Sequence, residues 1–156
     1  MAFQILALDP NPFASLYGLS DSALKERNVV RMPVTESPGF PCRVGLRDIP
    51  TGSTALLLNF RHQDAASPYR ANGPVFVEEG RTTAAEIPPN TVPDVLTRRL
   101  LSLRAYDAAG MIVDAEVSEG RDAEAQIEKF LSDSNVVEIH AHFARRGCYA
   151  ARIVQA

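Results

Sequence analysis

Short segments of alternating apolar and polar residues, separated by turn signals and not regularly interleaved with helices, constrain this chain most. Residues 3–8, 28–35, 42–46, 54–61, 75–78, 100–107, 111–117, 135–142 and 148–154 each read as a strand. Helical signals are fewer. Pro12 suits the first turn of a helix over 13–18, and Ser20 or Asp21 caps another over 21–27. Pro93 starts a third, short helix running to about Arg99. A clear amphipathic helix follows at 122–131, with Ile127, Phe130 and Leu131 inward. A doubly wound parallel sheet needs strands and helices in alternation, so that class is excluded. The expectation is an α+β domain of mainly antiparallel sheet, a bent sheet or partly open barrel, with a few short helices.

The connections carry their own information. Residues 37–41, Ser-Pro-Gly-Phe-Pro, cannot join regular structure and read as a rigid turn. Residues 62–73 read as a polar loop, and 80–94 as a proline-stiffened surface loop. Ala108-Ala109-Gly110 joins two strands in a hairpin, and the segments 135–142 and 148–154 form another. At 156 residues the chain is expected to be one domain, 1–156, large enough to bury a core without staples.

Charge and cysteine content remove several classes. A net charge of −3 gives no global footprint for nucleic acid. No run approaches the roughly 18 apolar residues of a membrane span, and the amino terminus lacks a secretory pattern. Two cysteines are too few for a disulfide framework. A cytoplasmic protein with reduced thiols, without nucleic-acid or membrane partners, is expected. Phosphate-loop, dinucleotide, zinc-protease and serine-hydrolase motifs are all missing. Only two of the sixteen basic residues, Lys25 and Lys129, are lysines. A GC-rich genome gives that bias, and so does selection for the planar guanidinium that recognises carboxylate and phosphate.

Candidate chemistry concentrates in the last hairpin. Glu138, His140 and His142 share one strand face, and Ile139, Ala141 and Phe143 take the other. The plainest expectation is two solvated imidazoles on an open sheet face. A ligand-binding or catalytic face comes next, and a metal last, with Cys148, His62, Cys42 or Glu138 as the third ligand. No metal and no cofactor is assigned. If paired residues of the hairpin sum to 290, His142 faces Cys148; if they sum to 291, it faces Tyr149. Cys148 follows Arg145-Arg146-Gly147, and Cys42 sits beside Arg43; either thiol is inert packing or a nucleophile whose pKa its neighbours lower. Arg104 and Tyr106 share a face opposite Leu101, Leu103 and Ala105, and Tyr69-Arg70 lies in a loop. Gly39 and Gly73 read as turn residues.

Four motifs, taken in order, bring a resemblance. They are Pro38-Gly39-Phe40-Pro41-Cys42-Arg43, the run Ser67 to Val77, Leu103-Arg104-Ala105-Tyr106-Asp107, and Gly147-Cys148-Tyr149. Together they resemble a family of small bacterial proteins catalogued as domain of unknown function 1203. The resemblance spans essentially the whole chain and implies a single-domain bacterial protein. The functional expectation therefore rests on the residues: a binding or accessory protein for a small anionic ligand, using Arg43, Tyr69, Arg70, Arg104, His140, His142 and Cys148. The alternatives are a small enzyme using Cys148 or the histidine pair, and a partner-binding domain without a small-molecule site.

Overall fold

The computed structural model describes residues 2–156. Ten strands form two five-stranded sheets. The first sheet holds β1 (Phe3–Leu6), β7 (Leu100–Tyr106), β8 (Ile112–Glu119), β9 (Glu138–Phe143) and β10 (Tyr149–Gln155), in the order β1-β10-β9-β7-β8. The second holds β2 (Val30–Pro33), β3 (Pro41–Cys42), β4 (Arg47–Asp48), β5 (Thr54–Gln63) and β6 (Ala71–Glu78), in the order β2-β5-β6-β3-β4. All pairings are antiparallel except β3 with β6. The fold is therefore α+β and mainly antiparallel, as expected, and the sheets do not close into a barrel.

Among the described residues four short α-helices complete it, α1 (Asn11–Ala14), α2 (Asp21–Glu26), α3 (Asp94–Thr97) and α4 (Ala123–Leu131), the last preceded by a 3-10 turn at Gly120–Asp122. Ser20 caps α2 by accepting from Ala23 N at 3.1 Å, a bond worth about 1 kcal/mol to a helix this short. Pro33 ends an edge strand, where a missing N–H costs no ladder bond. Among the described residues no helix is long and apolar enough to cross a membrane.

Strand parity sorts the side chains into two cores. One face of the first sheet, carrying Ile5, Leu101, Leu103, Ala105, Ile139 and Ile153, packs under α3 and α4 through Val95, Leu96, Ile127 and Phe130. The second sheet packs Leu56, Leu58, Val75 and Val77 with Phe13 of α1 and Leu24 of α2. Gly120 sits where α3 meets the turn into α4; its N–H bonds Arg99 O at 2.8 Å. A Cβ there would lie 1.8 Å from Leu96 O, so only glycine permits this approach.

Some elements differ from the sequence reading; the helix expected over 13–18, for one, spans Asn11–Ala14. The strand expected over 42–46 is only Pro41–Cys42, because the chain turns at once: Gly45 N bonds the Cys42 sulfur at 3.2 Å and Leu46 has φ 44°. The loop expected over 62–73 is shorter, because β5 runs on to Gln63 and β6 begins at Ala71. Gly73 is accordingly a strand residue paired with Phe60, not a turn residue.

Candidate functional site

The terminal hairpin takes the 291 register beside its turn, with Tyr149 opposite His142. A bulge at Ala150 then shifts the pairing, so that Ala151 faces Ala141 and Arg152 faces His140. Gly147 closes the turn with φ 80°, a conformation that suits glycine, and donates to Phe143 O at 2.7 Å. Residues 147–149 consequently serve two separate places. The Cys148 side chain faces an arginine-lined cleft, while the Gly147 carbonyl and the Tyr149 ring border a cluster of histidines.

The cleft has a volume of about 570 Å³ and is bounded by the 39–41 turn, the start of β7 and the 143–148 turn. Arg43, Arg98, Arg99, Arg145 and Arg146 line it, against two carboxylates, Glu36 and Glu119. Arg43 is the unusual member, with 1% of its surface exposed. Its Nε donates to Tyr149 O at 2.7 Å and its Nη1 to Pro41 O at 2.6 Å, while Nη2 has no acceptor. Burial presses its pKa down from the ordinary arginine value, and Cys148 beside it opposes that. The Phe143 ring centroid lies 4.9 Å from the Arg43 guanidinium carbon and 5.3 Å from that of Arg99, within cation–π range of both. Asp48 holds Arg99 through Nη1 at 3.0 Å, and Arg145 and Arg146 are exposed.

The histidines are not solvated. His140 and His142 are 2% and 1% exposed, because the second sheet covers the face that was expected to be open. Its contribution is His62 of β5, whose ring centroid lies 5.0 Å from that of His142 and 6.4 Å from that of His140. Tyr149 stacks on His62 at 5.4 Å and 8°, and Tyr106 packs 4.7 Å from His140. One ring nitrogen from each of the three histidines lies within 4.8 Å of the others. Burial pushes His62 down to about 4 and His142 down to about 3, so both are neutral at pH 7. Arg104, half-buried on the same face, adds to both shifts.

Outer partners fix two of the rings. His142 Nδ1 lies 2.9 Å from Gly147 O, and a carbonyl only accepts, so Nδ1 carries the proton. His140 Nε2 lies 3.2 Å from Glu138 Oε1. Glu138 is held in turn by Arg152 and, at 3.4 Å, by Gln63 Nε2. The hydrogen bond from His140, followed by that from Arg152, keeps the Glu138 carboxyl at about 2 despite its burial. Each histidine is left with one buried nitrogen that has no partner: His62 Nδ1, His140 Nδ1 and His142 Nε2. Orphaned buried polar atoms cost about 1–3 kcal/mol each, so three in one place call for an explanation.

The seven residues singled out from sequence thus divide. Arg43 and Cys148 lie in the cleft, while His140, His142 and Arg104 lie at the histidine cluster. Tyr69 is exposed and meets Tyr106 edge-on at 6.4 Å. Arg70 clamps its own loop, donating to Asp64 O at 2.9 Å and Ala65 O at 3.2 Å. Sequence reasoning left out Arg98, Arg99, Arg145 and Arg146 as site residues, and weighed His62 only as one of four third ligands. A signal for His62 was present: Leu58, Phe60 and His62 alternate with Asn59 and Arg61, so the strand could have been extended to it.

No curated protein and no solved structure matches the chain. The model of a family described as a protein of unknown function, DUF1203, matches residues 39–155, which include every lining arginine of the cleft and all three histidines. The chain belongs to the DUF1203 family.

Proposed function

We propose that the arginine cleft binds a small organic anion, a carboxylate or a phosphate ester. The observation that carries this reading is the Arg43 guanidinium: buried, without a carboxylate partner, and with Nη2 lacking any acceptor in a wall of the cleft. A buried unpaired cation is costly, and an anion bound beside it supplies both the missing charge and the missing acceptor. Four further arginines add a cationic field around a volume suited to a small molecule. A thermal-shift panel of phosphate, pyrophosphate, sugar phosphates and di- and tricarboxylates tests it. At least one should raise the melting temperature of the wild type, and the shift should shrink sharply in the double variant Arg145→Ala/Arg146→Ala. A panel that moves neither protein removes the reading.

The Cys148 thiol in the same wall favours a second reading, in which that sulfur adds to a carbonyl carbon of a bound anion, forming a C–S bond as the C=O π pair moves to oxygen and takes up the thiol proton. Both readings suit a reducing, cytoplasmic compartment of a bacterial cell, which is supported by two free cysteines.

A further inference from the structure

Separately from the anion cleft, we infer that His62, His140 and His142 form a three-imidazole site for a divalent first-row transition ion of the zinc type. One nitrogen from each ring already lies within 4.8 Å of the other two, on side chains contributed by both sheets. Tetrahedral ligation at about 2.0–2.1 Å places imidazole nitrogens about 3.4 Å apart, so modest ring movements close the set. The ring orientations are the ones ligation needs. Gly147 O accepts from His142 Nδ1, which leaves His142 Nε2 as a bare lone pair, and Glu138 Oε1 lies against His140 Nε2, which turns His140 Nδ1 away from the carboxylate. His142 Nε2 and His140 Nδ1, with His62 Nδ1, are the buried nitrogens that have no partner. A carboxylate behind one ligating histidine and a carbonyl behind another are the usual outer supports of a metal site.

Two features narrow the chemistry. Among the described residues no cysteine or carboxylate joins the three histidines in the cluster, and three protein ligands leave a fourth position open. Imidazole donors suit zinc, iron, copper and nickel over magnesium or calcium. His62 is only half-buried and gives the ion a way in. The nearby Arg104 charge disfavours a bare cation and favours an anionic fourth ligand, such as hydroxide or a carboxylate.

The test is cobalt titration of full-length protein stripped by chelator and shown by circular dichroism to be folded. One equivalent of Co²⁺ should give the visible absorption of a four- or five-coordinate nitrogen and oxygen site, and Zn²⁺ should abolish it. His62→Gln should lose the absorption. Glu138→Gln, which changes only a positioning residue, should weaken Co²⁺ binding by about 10–100-fold. Arg145→Ala/Arg146→Ala should bind Co²⁺ as the wild type does, so this site and the anion cleft stand or fall separately. Folded wild type that takes up no Co²⁺ overturns the inference. So does undiminished absorption in His62→Gln, or a sulfur charge-transfer band that Cys148→Ser removes. If His62→Gln does not fold, nitrogen-15 spectra of wild-type imidazoles carry the test: Zn²⁺ must shift all three together, and a shift of fewer overturns the site.

Discussion

Replacing Arg43 with methionine separates a ligand's counter-charge from a structural clamp. Arg43→Met keeps a long apolar stem beside Phe143 and removes the guanidinium. Two hydrogen bonds from a charged donor, to Tyr149 O and Pro41 O, are lost, at about 1.5–3 kcal/mol each. The cation–π contact with Phe143 adds about 1–2 kcal/mol to the loss. Against this, the variant no longer buries an unpaired charge, a penalty of several kcal/mol per ion. The terms nearly cancel, and the ligand-free variant should lie within about 2 kcal/mol of wild type by urea denaturation. The difference emerges with ligand. An anion at a hundred times its Kd stabilises wild type by about 2.7 kcal/mol. At about 2–4 °C per kcal/mol for a chain of this size, that raises the melting temperature by about 5–11 °C. Arg43→Met should forfeit most of that rise. A variant stabilised by the anion as strongly as wild type refutes the role of the guanidinium. A ligand-free loss above about 5 kcal/mol shows instead that its charge is not under strain and that Arg43 is a clamp.

Three more outcomes follow from other parts of the molecule. Gly120→Ala should cost about 3 kcal/mol or more, read as a lower urea midpoint at unchanged slope, because its Cβ would meet the Leu96 and Arg99 carbonyls at 1.8 and 2.6 Å. Glu79 accepts from Arg31 at 2.9 and 2.8 Å, which sets its pKa below the ordinary 4.5. Because the folded value is the lower one, its stabilisation is full above 4.5 and fades as pH falls through the folded value. The stability gap between wild type and Glu79→Gln should therefore narrow as pH falls below 4.5, and a gap that is independent of pH contradicts the ion pair. Iodoacetamide should alkylate Cys148 in the folded protein and spare Cys42, which is 1% exposed with its sulfur between Gly45 N and Glu78 N; mass spectrometry of digested protein reads both.

Parity and turn chemistry carried most of the fold. Ser20, Pro93 and the 108–110 turn marked boundaries that lie within a few residues of the observed ones. Arg104 and Tyr106 do face away from Leu101, Leu103 and Ala105. Long-range pairing was the part that local pattern could not supply. His140 and His142 looked solvated because nothing local indicates that β5 of the other sheet lies over them. Local pattern ends the strand at Arg61 and opens a polar loop at His62, yet β5 runs through both, with Arg61 exposed and Gln63 buried. Arg43 reads as a candidate anion-binding residue on a strand over 42–46; its burial follows instead from the immediate turn after Cys42.

The Gly147–Tyr149 segment is a wall with a different tenant on each side, and that limits how the protein can change. Adjacent residues of an extended chain look in opposite directions, so a slip of one residue would exchange the faces of Cys148 and Tyr149 together. An insertion or deletion in the 144–147 turn would reset the 291 register and displace the Arg43 acceptor and the Tyr149 ring together. A library of turn-length variants at 144–147 should therefore yield proteins altered on both sides. Independent tuning is simplest at positions remote from the segment, such as Arg98 for the cleft or His62 for the histidines, each of which belongs to one side alone.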